Sequence, residues 1–124
     1  MITLDESAVD WLDAQPGYHE LSEVERFVIC NGCGAANSKF DFVPDTIYRL
    51  DIKEACYRHD YAYHIGKTEE DKKAADEQFL HNILTIINTK SHPLLKWPRR
   101  WRAMTYYSAV CDKGHKAFWA GKQQ

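Results

Sequence analysis

A chain of 124 residues, 44% of them apolar, can bury one modest core and leaves no room for a second catalytic domain. No apolar run is long enough to span a bilayer, and the net charge of −2, with no recognised binding module, argues against nucleic acid as a partner. The charge is nevertheless segregated, at −6 over residues 1–30 and +7 over residues 90–124.

The N-terminus, MITLDESAVDWLDAQ, is acidic and lacks the basic start and apolar run of a signal peptide, so export by the usual route is not expected unless a leader was removed earlier. Short helical segments are predicted at Ser7–Asp13 and Ser22–Cys30, the second opened by a Ser22/Glu25 capping box, and both read as packing elements. A glycine-containing turn follows at Asn31-Gly32-Cys33-Gly34-Ala35.

Asp51 with Glu54 reads as a capping box for a helix over 52–64, free of Pro and Gly until Gly66. Thr68 with Asp71 repeats the start signal for a helix over 69–88, whose apolar stripe is Ala75, Phe79, Ile83 and Ile87 with Leu80 and Leu84 beside it. The short hinge between them predicts antiparallel neighbours. Pro98 fits the first turn of a last helix over 98–119. On it, Trp101, Met104 or Thr105, Ser108, Cys111 and His115 can form a core stripe with arginines on the solvated back. The alternative uses Trp97 and Trp101, interleaved with Lys96, Arg99, Arg100 and Arg102, at a lipid–water interface, where rings sit at headgroup level and cations meet phosphates.

The chemistry concentrates in CYRHDYAY at residues 56–63. At 3.6 residues per turn Cys56, His59 and Tyr63 form one stripe, with Asp60 about 100° round from His59. Running down one helix, around the glycine turn and back up the other brings Asp76 to the level of His59 and Tyr63. A carboxylate that accepts one N–H of an imidazole fixes its tautomer and stabilises the imidazolium formed when the other nitrogen takes a proton. His59 and Asp76 would be such a pair, Tyr63 could hold Asp76 in place, and Asp60 would be left for a hard cation or the substrate. A different chemistry uses Cys30, Cys33, Cys56 and His59, two pairs spaced as in a zinc-stabilised binding module, but it leaves Asp60, Tyr63 and Asp76 without a joint role. His19, His64, His81, His92 and His115 read as surface or partly buried residues, none with a carboxylate at a comparable offset.

At His59, Asp60, Tyr63 and Asp76 the sequence resembles the phospholipase A2 superfamily, whose catalytic helix carries His-Asp followed three residues later by Tyr, with a second Asp on the antiparallel partner helix. The resemblance covers about residues 30–84 and is strongest to the compact prokaryotic, phage and parvoviral-capsid branches. It implies His59 as the base that activates a water, Asp76 as its orienter, Tyr63 as the support of Asp76, and Asp60 as a Ca²⁺ ligand with the carbonyls of Gly32, Gly34 and Ala36. It further implies a Cys33–Cys56 disulfide between metal loop and catalytic helix, with Cys30 and Cys111 available for a second. The paired cysteines of the animal enzymes are absent, since Ala55 precedes Cys56 and Ala62 precedes Tyr63, and Ala35, Ala36 and Asn37 stand where their loop is glycine-rich.

The expectation is therefore a single phospholipase A2-like domain over 1–124, all-α, built on two antiparallel helices with a metal loop and a C-terminal helix. By resemblance it hydrolyses the sn-2 acyl ester of a glycerophospholipid with Ca²⁺ as cofactor and a membrane or micelle surface as partner. A phage or virion component, or a secreted bacterial effector, is the implied setting. The other classes are the zinc module and a phospholipase-like protein without activity.

Overall fold

The computed structural model describes residues 12–30, 43–120 and 122. The described chain is mostly helical. Helix α1 spans Glu23–Ile29, a hairpin pairs β1 (Thr46–Ile47) with β2 (Leu50–Asp51), and α2 (Lys53–Ile65), α3 (Glu69–Lys90), α4 (Pro93–Lys113) and α5 (His115–Trp119) follow. Among the described residues no helix is long and apolar enough to cross a membrane. Most of the Ser7–Asp13 segment lies outside the described residues, and Leu12 and Asp13 at its end are not helical.

Helix α1 starts with the expected reciprocal box, Ser22 accepting from the Glu25 amide while Glu25 accepts from the Ser22 amide. The Thr68/Asp71 box starts α3 in the same way. Helix α2 begins differently. Asp51 belongs to β2, where it pairs with Thr46, so Ile52 takes the cap position without a side-chain bond, and the Asp51 carboxylate accepts from the Lys53 amide at 2.8 Å. Glu54 turns along the helix to Arg58, at 2.8 Å.

The α3 stripe faces inward as its spacing requires, with Ala75, Phe79, Ile83 and Ile87 buried together and Leu80 and Leu84 packed at its margin. Two-point recognition by buried Asn82 ties the N-terminal segment to this helix. Its Oδ1 accepts from the Asp13 amide and its Nδ2 donates to the Asp13 carbonyl, both at 2.8 Å.

Helix α4 departs from expectation at both ends. It begins at Pro93, where His92 accepts from the Leu94 amide and proline costs no intrahelical bond, so Pro98 lies inside the helix and leaves the Leu94 carbonyl without its usual donor. It ends before Gly114, and α5 is a separate short helix. The inward face is Arg99, Ala103, Tyr106 and Val110. Of the expected core stripe, Trp101, Met104, Thr105, Ser108 and His115 are exposed and Cys111 is half-buried.

Arg99 accounts for that rotation. It is not on a solvated back but buried, donating to the Ile47 carbonyl at 3.3 Å, the Tyr48 carbonyl at 2.7 Å and Ser91 Oγ at 3.0 Å. The hairpin turn it grips has Tyr48 and Arg49 at φ 44° and 71°, left-handed conformations that side chains other than glycine adopt at a cost. Tyr106 adds a bond from its hydroxyl to the Thr46 carbonyl at 2.8 Å. The inward face of α4 is thus the one that can satisfy this turn.

Candidate active site

His59 and Tyr63 stand one turn apart on α2, and Asp76 lies on the facing side of α3; all three are buried. His59 Nε2 is 2.8 Å from Asp76 Oδ1, and the Tyr63 hydroxyl donates to the same oxygen at 2.7 Å. The imidazole is held between rings, with centroids 4.3 Å from Tyr63 and 4.6 Å from Phe79. The other carboxylate oxygen, Oδ2, accepts from Lys72 Nζ at 2.7 Å, and that ammonium also reaches the Val110 and Cys111 carbonyls at 3.3 and 3.4 Å.

This arrangement sets the electrostatics. Burial lowers the His59 pKa below its ordinary 6.5, and the opposing pull of the Asp76 carboxylate does not restore it. Asp76 feels burial most, which would raise it, but the bonds from His59, Lys72 and Tyr63 together outweigh burial and hold it below its usual value. Burial first, and then the Asp76 charge, push the Tyr63 phenol far up, so it stays protonated and donates. The result is a neutral imidazole beside an ionised carboxylate. An imidazole so tethered can take a proton at Nδ1 and share the positive charge with Asp76.

Lys72 escaped the sequence reading although it falls on the same stripe as Ala75, Asp76 and Phe79. A lysine at a core position of an otherwise apolar stripe, one turn before a buried carboxylate, was the available signal. Gly114 was missed as well. It sits where a continuous helix was expected, and a Cβ there would lie 2.4 Å from the Tyr63 hydroxyl oxygen and 2.4 Å from the Val110 carbonyl oxygen.

Asp60 is buried next to His59 in the chain. The Cys30 thiol is pushed up to about 11 by burial and then by the Asp60 charge. Gly32, Gly34 and Ala36, the expected carbonyl ligands, lie outside the described residues, and so does Cys33. Among the described residues no three or more His, Cys, Asp or Glu side chains are grouped to hold a metal ion. Asp60 fits a hard cation by its chemistry, as an oxygen donor that would need further oxygens to complete a shell.

Cys56 is disulfide-bonded. Cys30 and Cys111 are free thiols, which corrects the second disulfide. They belong to different parts of the fold, Cys30 packing with Tyr18 and Tyr61 at the end of α1 and Cys111 lying on α4 beside Tyr107. His19, His64, His81, His92 and His115 are all exposed, with His81 and His115 within 3.4 and 3.3 Å of Asp13 and Glu69.

No family model matches the chain, and neither a curated protein nor a solved structure matches it.

Proposed function

We propose that the chain is a calcium-dependent phospholipase A2-like hydrolase of glycerophospholipid acyl esters, acting at the sn-2 position by resemblance. The observation that supports this reading most is the Asp76 carboxylate, which is desolvated and yet receives His59, Tyr63 and Lys72. A structural carboxylate needs no imidazole at Nε2, whereas a water-activating base needs that partner. In this reading His59 takes the proton of a water at Nδ1, Asp76 holds the imidazolium that forms, and Tyr63 keeps Asp76 in register. Asp60, with the carbonyls of Gly32, Gly34 and Ala36, would hold Ca²⁺, which when bound polarises the ester carbonyl and stabilises the developing oxyanion. Cys33 is the proposed partner of Cys56.

The zinc module draws less support from the geometry. His59 Nε2 is committed to Asp76, Cys56 is in a disulfide, and burial raises the Cys30 thiol pKa, against the thiolate that zinc requires.

The test is release of lysophospholipid and fatty acid from dispersed phospholipid, with Ca²⁺ and with a chelator. Activity that depends on Ca²⁺ and falls about 10²–10⁴-fold in His59→Gln is expected. Wild-type turnover in that variant would reject His59 as the base. Folded protein with no turnover under any divalent cation would leave the fold without the activity, and bound zinc lost together with His59 would favour the zinc module.

A further inference from the structure

Helix α4 carries an outward stripe of Leu94, Trp97, Trp101 and Met104, with exposures of 80%, 67%, 67% and 50%. The spacing of three and four residues puts them on one face over about 15 Å. The Trp97 and Trp101 rings stack on each other at 5.7 Å rather than on the core. The exposed Arg100 and Arg102 flank the stripe, and the half-buried Lys96 lies farther round the helix, toward its inward face. Arg100 is turned to the neutral Asn88 amide oxygen, at 2.7 Å, and Arg102 lies over the Tyr106 ring at 5.8 Å; none of the three makes an ion pair among the described residues. Between Pro93 and Cys111 the sequence contains no acidic residue.

We infer that this face of α4 docks on an anionic lipid surface, lying flat with its tryptophans at headgroup level and its cations against phosphate and carboxylate groups. The charge pattern selects that occupant. A stripe that is apolar, aromatic and basic, on a helix whose one acid, Asp112, lies at its far end beyond the stripe, complements a surface that is apolar below and negative above. The other exposed apolar cluster, Val24, Phe27 and Val28 on α1, stands among Glu23 and Glu25 and is unsuited to such a surface. It is, however, the complement that a second copy of this chain would offer to α4, and the test includes that outcome. The inference rests on α4 alone and goes beyond the hydrolase reading, and its readout is adsorption rather than turnover, so the two can fail separately.

The experiment is co-sedimentation of the full chain, in chelator so that vesicles stay intact, with phosphatidylcholine vesicles that do or do not contain phosphatidylserine. Tryptophan emission is followed in parallel. Expected are binding that requires phosphatidylserine, a blue shift on binding, and weakening at high salt. Arg100→Gln with Arg102→Gln should weaken binding about thirtyfold, from roughly one tenfold step per 1.4 kcal/mol and about 1 kcal/mol per cation. Trp97→Ser with Trp101→Ser should abolish the blue shift. All four side chains are exposed, so the variants should keep the wild-type circular dichroism and urea midpoint. Equal binding to pure phosphatidylcholine, or undiminished binding by both variants, overturns the inference. So does absence of vesicle binding by a protein that self-associates, or that retains duplex DNA, through these same residues.

Discussion

Lys72 donates to Asp76 Oδ2 at 2.7 Å from one turn earlier on the same helix, while His59 and Tyr63 occupy Oδ1. The carboxylate is thereby divided, one oxygen for the imidazole and one for the scaffold. Lys72 also binds the last carbonyls of α4, so the orientation of Asp76 is referred to a third helix as well as to the two that carry the pair. Lys72→Met should lower stability by about 3–5 kcal/mol, because it leaves a buried carboxylate short of its cation. Lys72→Met with Asp76→Asn should cost clearly less than the sum of the single changes, as measured by urea unfolding in a double-mutant cycle. Additive losses would show that the two groups act independently.

Asp60 and Asp76 are both buried acids near His59, yet the proposed roles separate them. Asp60→Asn should weaken Ca²⁺ affinity and activity together, with excess Ca²⁺ restoring part of the rate, because a ligand oxygen loses its charge. Asp76→Asn should lower turnover with Ca²⁺ affinity nearly intact. Calorimetric titration of Ca²⁺ beside the hydrolysis assay distinguishes them, and an Asp60→Asn protein with unaltered calcium dependence would remove Asp60 from the ligand set.

The lowered His59 pKa has a consequence for stability. The folded protein resists protonating this ring, whereas the unfolded chain protonates it near 6.5. The unfolded state therefore binds more protons between the two values, so stability falls as pH drops below about 6.5 and levels off once the folded-state pKa is passed. Asp76, held below its usual value, contributes stability that is lost only in more acidic solution, as pH falls below 3.8. Urea midpoints of wild type and His59→Gln across this range should converge as pH falls from neutral, since the variant lacks the titrating ring. Parallel curves would mean that His59 is not held neutral by the fold.

Arg99 and Arg100 are sequence neighbours with opposite fates. Arg99 satisfies two carbonyls of a left-handed hairpin turn and a buried serine, so Arg99→Ala should cost about 2–4 kcal/mol, being a loss of charged hydrogen bonds to buried acceptors. Arg100→Gln, exposed against Asn88, should stay within about 0.5 kcal/mol. Chemical denaturation of the two variants is the check.

Those two arginines show where reading the sequence stops. Helices α2 and α3, their boundaries within a residue or two, and the approach of His59, Tyr63 and Asp76 were legible because spacing on a helix and a short hinge fix them. Two of the three capping boxes formed for the same local reason. The third failed because Asp51 is drawn into a hairpin, a non-local pairing with Thr46 that no local pattern announces. Of the two readings of α4, the core stripe with its arginines outward failed and the one that left Trp97 and Trp101 exposed agrees with their positions, but neither placed Arg99 inward, because the fold needed donors for the Ile47 and Tyr48 carbonyls more than it needed another apolar ring. Lys72 was missed for the same reason, a cation turned inward to supply a donor to Asp76.

Gly114 carries the last prediction. It stands between α4 and α5 with φ −81°, a conformation open to any residue, so conformational freedom does not explain it. Space does. An alanine Cβ would lie 2.4 Å from the Tyr63 hydroxyl oxygen and from the Val110 carbonyl oxygen, distances at which something must shift, and the carbonyl belongs to the frame that also receives Lys72. Gly114→Ala should cost about 1–3 kcal/mol as overpacking and should push the Tyr63 hydroxyl off Asp76, lowering turnover more than an exposed substitution such as Lys116→Ala. Tyr63→Phe removes one of the two obstacles and leaves the ring carbon at 3.4 Å, an ordinary contact. The double change should therefore be more stable than the sum of the singles predicts, by an amount that urea unfolding resolves. If the losses simply add, the Val110 carbonyl alone excludes the side chain, and Gly114 serves the end of α4 rather than the carboxylate that His59 shares with Tyr63.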